Sequence, residues 1–136
     1  MYVVNEKFTT SEKLITENLI GLECEIAEIS ITECFISLDT STIRDSALSY
    51  IERTDLSNCS VFNCLFDDSN DLTISDSRLH NCHFLNIYQG LLNNFDRDIF
   101  TNCKFERFFG TLTNCILDNC TFSEDCNVTL NNCLIV

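Results

Sequence analysis

The chain has 136 residues, with 21 acids against 8 bases and a formal net charge of −13. A field of that sign repels nucleic acid and anionic membranes, because those partners must be met with Lys and Arg. A hydrophobic content of 45% with no proline and 3 glycines excludes collagenous, linker-like or disordered character. The opening MYVVNEKFTTSEK carries charges where a signal peptide needs an apolar run. No stretch approaches about 18 uninterrupted apolar residues, so the expected location is cytoplasmic or virion-associated.

Residues 1–20 are expected to form an N-terminal cap. Thr9, Thr10, Ser11 and Glu12 read as a capping box ahead of KLITENLI, which suits a short helix or an irregular strand. Residues 14–43 hold Glu17, Glu23, Glu25, Glu28, Glu33 and Asp39 and no Lys, Arg or His, so one end carries an undiluted negative field. Residues 39–50 place Asp39 and Arg44 where small inward residues belong, which predicts an irregular loop. DDSND at 67–71 is turn chemistry. NIYQGLLNNFDRD at 86–98 lacks cysteine and carries Tyr88, Leu91, Leu92 and Phe95. It reads either as a protruding contact loop or as a loop folded back over its neighbours. The chain closes on Leu134, Ile135 and Val136 without a polar cap, an end expected to stack on another subunit by two-fold or head-to-tail association.

The ten cysteines organise everything between these features. Each follows Asn (Asn58, Asn63, Asn81, Asn102, Asn114, Asn119, Asn132) or an acid (Glu23, Glu33, Asp125). Each is followed two residues later by a large apolar side chain: Ile26, Ile36, Val61, Phe66, Phe84, Phe105, Leu117, Phe122, Val128 and Ile135. In an extended chain, residues two apart share a face, so cysteine and its partner both point inward. Cysteine then serves as a small hydrophobe beside a larger one. Cys59 to Cys64 and Cys115 to Cys120 are five-residue steps, which neither the helical period nor the heptad fits.

NCSVFNCLF at 58–66, SRLHNCHF at 77–84 and LTNCILDNCTF at 112–122 resemble the pentapeptide-repeat family, in which a small residue stands two before a central Leu or Phe. The resemblance implies an all-β, right-handed parallel β-helix over residues 21–136, quadrilateral in section, with four pentads per turn. A triangular coil with longer, irregular turns is the alternative. At about 20 residues per turn the chain makes about 5–6 rungs, a rod on the order of 25–30 Å long.

Little of the sequence reads as catalytic or metal-binding chemistry. His80, Cys82 and His83 are zinc-ligand types, but alternation sends Cys82 and His83 to opposite faces, so no metal site and no cofactor are expected. Asp67, Asp68, Asp71 and Asp76 could serve a carbohydrate-cleaving or carbohydrate-binding β-helix, though solvated turn acids explain them as well. Stacked cysteines on adjacent rungs could come within about 5 Å, close enough for disulfides. Without a secretory signal, free thiols are expected. Asn58-Cys59-Ser60, Asn119-Cys120-Thr121 and Asn127-Val128-Thr129 match the glycosylation pattern, which has meaning only outside the cell. The expectation is a non-catalytic scaffold or interaction module with a protein partner, self-associating through its end rungs. Tyr88, Leu91, Leu92, Phe95, Leu134, Ile135 and Val136 are the candidate contacts. The pentapeptide-repeat resemblance implies an alternative, an acidic DNA mimic that occupies DNA gyrase.

Overall fold

The computed structural model describes residues 2–8, 14–87 and 93–136. Among them every regular element is a strand, and every strand pairing is parallel. Tight corners keep the strands short. Among the described residues, twenty non-glycine residues hold φ near +50°, in the left-handed region. Nine are Asn and four are Asp, the residue types that tolerate this conformation best. The rule that Asn precedes Cys follows from this. Asn58, Asn63, Asn81, Asn102, Asn114, Asn119 and Asn132 are all left-handed corners, as are Glu23 and Glu33. Each corner turns the chain about the axis, and the next residue starts a new side facing inward. A β-branched residue in such a corner costs roughly 1–2 kcal/mol, and Thr40 is the one instance among the described residues.

Three corners per turn make three faces. Face one stacks Tyr2–Val4, Leu19–Leu22, Phe35–Asp39, Arg53–Ser57, Leu72–Ser75, Asn94–Asp96, the end of Lys104–Thr113 and Asn127–Asn131. Face two is an 8-stranded ladder running from Lys7–Phe8 to Leu134–Ile135. Face three runs from Leu14–Ile15 through His83–Ile87 to Thr121–Phe122. Of the two cross-sections left open by the sequence, the ladders therefore give the three-sided one. Leu14 pairs with Ser30 and Thr73 with Asn94, so one turn takes between 16 and 21 residues. Most turns are shorter than 20 residues, and the coil accordingly makes about 7 turns instead of 5–6.

The five-residue step survives on faces two and three and fails on face one. There several strands point two residues inward two places apart, both large at Ile36 and Leu38 and at Leu72 and Ile74. The side is longer, and the frame shifts as the chain passes it. That shift explains residues 39–50, which continue the coil where a loop was expected. Ser41, Ile43, Ser46 and Leu48 point inward, while Asp39 and Arg44 lie outside. At 67–71 Asp68 and Asp71 are both left-handed. The N-terminal residues also differ from expectation. Tyr2–Val4 and Lys7–Phe8 form part of the first turn, paired with Leu19–Leu22 and Glu25–Ala27, and the stretch that reads as a capping box lies outside the described residues.

The core is a set of vertical columns. On face three Phe66, Phe84, Phe105 and Phe122 stack nearly parallel, with centroids 4.9, 4.9 and 4.6 Å apart. Phe95, Phe100 and Phe108 pack their rings against this column from the other faces. Gly21 and Gly110 are required by space: an added Cβ would come within 2.8 Å of Leu38 and 2.7 Å of the Asn93 carbonyl oxygen.

The small inward position has a second duty that hydrophobicity does not explain. A backbone N–H just past a corner points to the side chain one turn on, which must accept its hydrogen bond. Ser41 Oγ accepts from Cys24 N at 3.1 Å, Ser46 from Ile29 at 3.3 Å and Ser77 from Cys59 at 3.0 Å. Where cysteine stands instead, its sulfur accepts, as Cys59 does from Ser41 and Cys115 from Asp98. The thiol in turn donates to a backbone carbonyl, as Cys59 does to Ser57 at 3.3 Å. Alanine would fill the space and leave the amide unpaired, at a cost of about 1–3 kcal/mol.

Candidate interaction surfaces

The two ends of the coil differ. At the start, the inward residues Val3, Phe8 and Ile15 are buried. At the other end Phe122, Leu130 and Ile135 occupy the same columns and are 37%, 40% and 65% exposed. No turn covers them. They pair downward with Phe105, Leu112 and Leu117, all buried. Phe122, Ser123, Cys126, Val128 and Leu130 line a largely apolar cleft of about 220 Å³ at this end. Residues 127–136 contain no charged side chain.

The candidate contacts separate accordingly. Leu134, Ile135 and Val136 are exposed, with Ile135 in an inward column and Leu134 on the outer side of face two. Phe95 is buried within the aromatic core and offers nothing to a partner. Its segment lacks cysteine because other residues do cysteine's work. Asn93 Oδ1 accepts from Leu72 N at 3.0 Å while its Nδ2 donates to Phe109 O at 2.9 Å, and Asp98 Oδ1 accepts from Ser77 N at 2.8 Å. Tyr88, Leu91 and Leu92 lie outside the described residues. Two further members of the open end, Phe122 and Leu130, are hidden in the sequence because their periodicity marks them as core.

Along the corner between faces two and three runs a groove of about 870 Å³, walled by Glu28, Asp45, Asn63 and Asn81 on one side and Ala47 and Leu65 on the other. Asn63 Nδ2 donates to Asp45 Oδ1 at 3.2 Å, so part of this wall is tied up in a ladder along the corner. Two of the acids that could have served carbohydrate chemistry are occupied too. Asp76 accepts two hydrogen bonds from Arg97 at 2.7 and 3.0 Å, which hold its carboxyl below the usual range. Asp67 accepts from Asn86. Cys82 is buried while His83 faces outward toward Glu106, 3.4 Å away. Among the described residues no group of three or more His, Cys, Asp or Glu could hold a metal ion. All ten cysteines are free, and burial pushes Cys64 up to about 11 and Cys115 up to about 12, so these two buried thiols are poor nucleophiles.

No family model matches the chain, and no curated protein does. Among solved structures it is similar to QnrB1, a plasmid-mediated fluoroquinolone resistance protein. The trypsin-treated R167E form is 12% identical, covering 99% of this chain and 89% of that one, with a TM-score of 0.37. The chain is a parallel β-solenoid by its own strand ladders. A Parabacteroides merdae protein described as a glycosyl hydrolase is 8% identical over 87% of this chain and 82% of that one, with a TM-score of 0.49. At these values neither protein's activity passes to this solenoid, whose architecture rests on its own ladders and corners.

Proposed function

We propose that the protein is a non-catalytic solenoid scaffold that assembles with a second copy of itself through its last turn. One observation carries this reading: core-column residues Phe122, Leu130 and Ile135 are exposed at one end, whereas Val3, Phe8 and Ile15 are covered at the other. Covered residues at the first turn disfavour head-to-tail stacking and favour a two-fold contact of last turn against last turn. Charge supports the same geometry. Two copies at −13 each repel, and residues 127–136 are a stretch free of charged side chains through which they can approach.

Light scattering tests this reading. Wild type is expected at twice the chain mass of 15.6 kDa, and Ile135→Glu at that mass itself. Ile135 is 65% exposed, so the substitution leaves the coil intact. A monomeric wild type at tens of micromolar, or a dimeric variant, defeats the proposal. The second reading, occupation of DNA gyrase by an acidic mimic, draws on the net charge and on the base-free stretch 14–43. It predicts salt-sensitive inhibition of gyrase supercoiling, and no effect at micromolar protein counts against it.

A further inference from the structure

The cysteines are not evenly distributed among the columns. On face two they are interrupted by other residues, in the order Cys24, Ser41, Cys59, Ser77, Asp98, with only Cys115 and Cys133 adjacent at the end. On face three Cys64, Cys82, Cys103 and Cys120 follow one another on four successive turns without interruption. Backbone hydrogen bonds fix their register. His83 N donates to Cys64 O at 3.0 Å, Lys104 N to Cys82 O at 2.9 Å and Thr121 N to Cys103 O at 3.1 Å. In-register residues on neighbouring strands sit about 4.8 Å apart, inside the span of roughly 4.4–6.8 Å that a disulfide bridges between Cα atoms. Cys82, Cys103 and Cys120 therefore stand in one column, each one turn from the next. Burial then distinguishes the four. Cys64, Cys82 and Cys103 are buried, whereas Cys120 is half-exposed at the open end of the coil.

We infer that Cys103 and Cys120 are a site of oxidative cross-linking, in which a two-electron oxidant such as hydrogen peroxide staples the last turn of face three to the turn beneath it. Peroxide reaches Cys120, whose sulfur takes one oxygen as the O–O bond breaks, giving a sulfenic acid and one water. The sulfur of Cys103 attacks that sulfur, the S–O bond breaks, and a second water leaves with the Cys103 proton. Two thiols are oxidised and one peroxide is reduced to two waters. Cys82, one turn beneath Cys103, is buried and stays reduced because no oxidant reaches it first. The inference does not depend on self-association, although a second copy seated on the last turn would slow the reaction.

The test uses the full chain carrying Cys133→Ser, which removes another half-exposed thiol with an aligned neighbour, Cys115. It is run with and without Ile135→Glu, so that shielding by a partner is separated from absence of the reaction. After peroxide treatment the intact mass is expected to fall by two hydrogens, and peptide mapping should join Cys103 to Cys120. The unfolding midpoint should rise on oxidation and return on reduction, and both effects should disappear in Cys120→Ser. A mass unchanged in both backgrounds, a gain of oxygen at Cys120, or a bond from Cys82 to Cys103 overturns the inference.

Discussion

Replacing Phe84 by alanine should lower the stability of the folded coil by about 3–5 kcal/mol, the cost of a large cavity in a core that cannot collapse around it. Phe84 is fully buried at the centre of the aromatic column. It stacks on Phe66 and Phe105 at 4.9 Å on either side, and Phe95, Phe100 and Phe108 surround it at 5.4, 6.1 and 6.2 Å. The backbone rungs above and below are held apart by hydrogen-bonded ladders, so the neighbours cannot slide into the gap. Phe122→Ala is the internal comparison. The sequence alone puts Phe122 in the same column and suggests the same loss. In the structure it is 37% exposed and stacks on Phe105 at the open end, so its truncation should cost only about 1–2 kcal/mol. Urea unfolding of both variants decides the matter. Equal losses would mean that the last turn is covered in solution, and a smaller loss for Phe84 than for Phe122 would refute the column.

The contrast shows how far the sequence could be read. Cysteine followed two residues later by Ile, Leu or Phe is a period-two signal, and it located the inward columns of faces two and three correctly at Cys59, Cys64, Cys82, Cys103 and Cys115. Face one carries no such marker over most of its length. Its inward pairs, Ile36 with Leu38 and Leu72 with Ile74, look like ordinary alternation, so neither its extra length nor the three-sided section was legible. The asparagines were visible as a pattern whose cause lay in the backbone. They mark left-handed corners, a property of φ that the alternation of side chains does not report. Phe95 was misplaced for a related reason. The marker that would have placed it inward had been replaced by Asn93, which supplies the same hydrogen-bond acceptor without a sulfur. The apolar end was legible at Leu134, Ile135 and Val136. Phe122 and Leu130 share core-like periodicity with buried residues, and only their exposure in the structure joins them to it.

Asp98 makes the stability of the coil depend on pH, and Asp98→Asn should remove that dependence. The side chain is buried at the position that Ser or Cys fills on other turns of face two. Its Oδ1 accepts from Ser77 N, while Oδ2 is buried with no hydrogen-bond partner. Burial above all, with the nearby carboxylates of Asp76 and Asp96 adding to it, pushes its pKa up to about 8 from an ordinary 3.8. Arg97 beside it is engaged with Asp76 and Asp96 and does not neutralise it. Below pH 3.8 the group is protonated in both states and the native form bears no penalty. Between 3.8 and about 8 the unfolded chain releases the proton and the folded chain keeps it, so this group's contribution to stability falls as pH rises. Above about 8 the loss is complete. A tenfold difference in proton affinity between the folded and unfolded chain is worth about 1.4 kcal/mol. After allowance for relaxation and water entry, a total of roughly 2–4 kcal/mol is expected. Asn keeps the acceptor for Ser77 and cannot ionise, as the buried Asn93 already illustrates on face one. Wild type and Asp98→Asn should therefore differ little in unfolding free energy at pH 4, and the variant should be more stable at pH 8 by that amount. Asp76 and Glu106, whose carboxyls are held low by Arg97 and Lys104, contribute the opposite trend in acid, and they do so equally in both proteins. A gap that stays constant from pH 4 to pH 8 would mean that Asp98 is ionised in the folded coil, with its second oxygen reached by water.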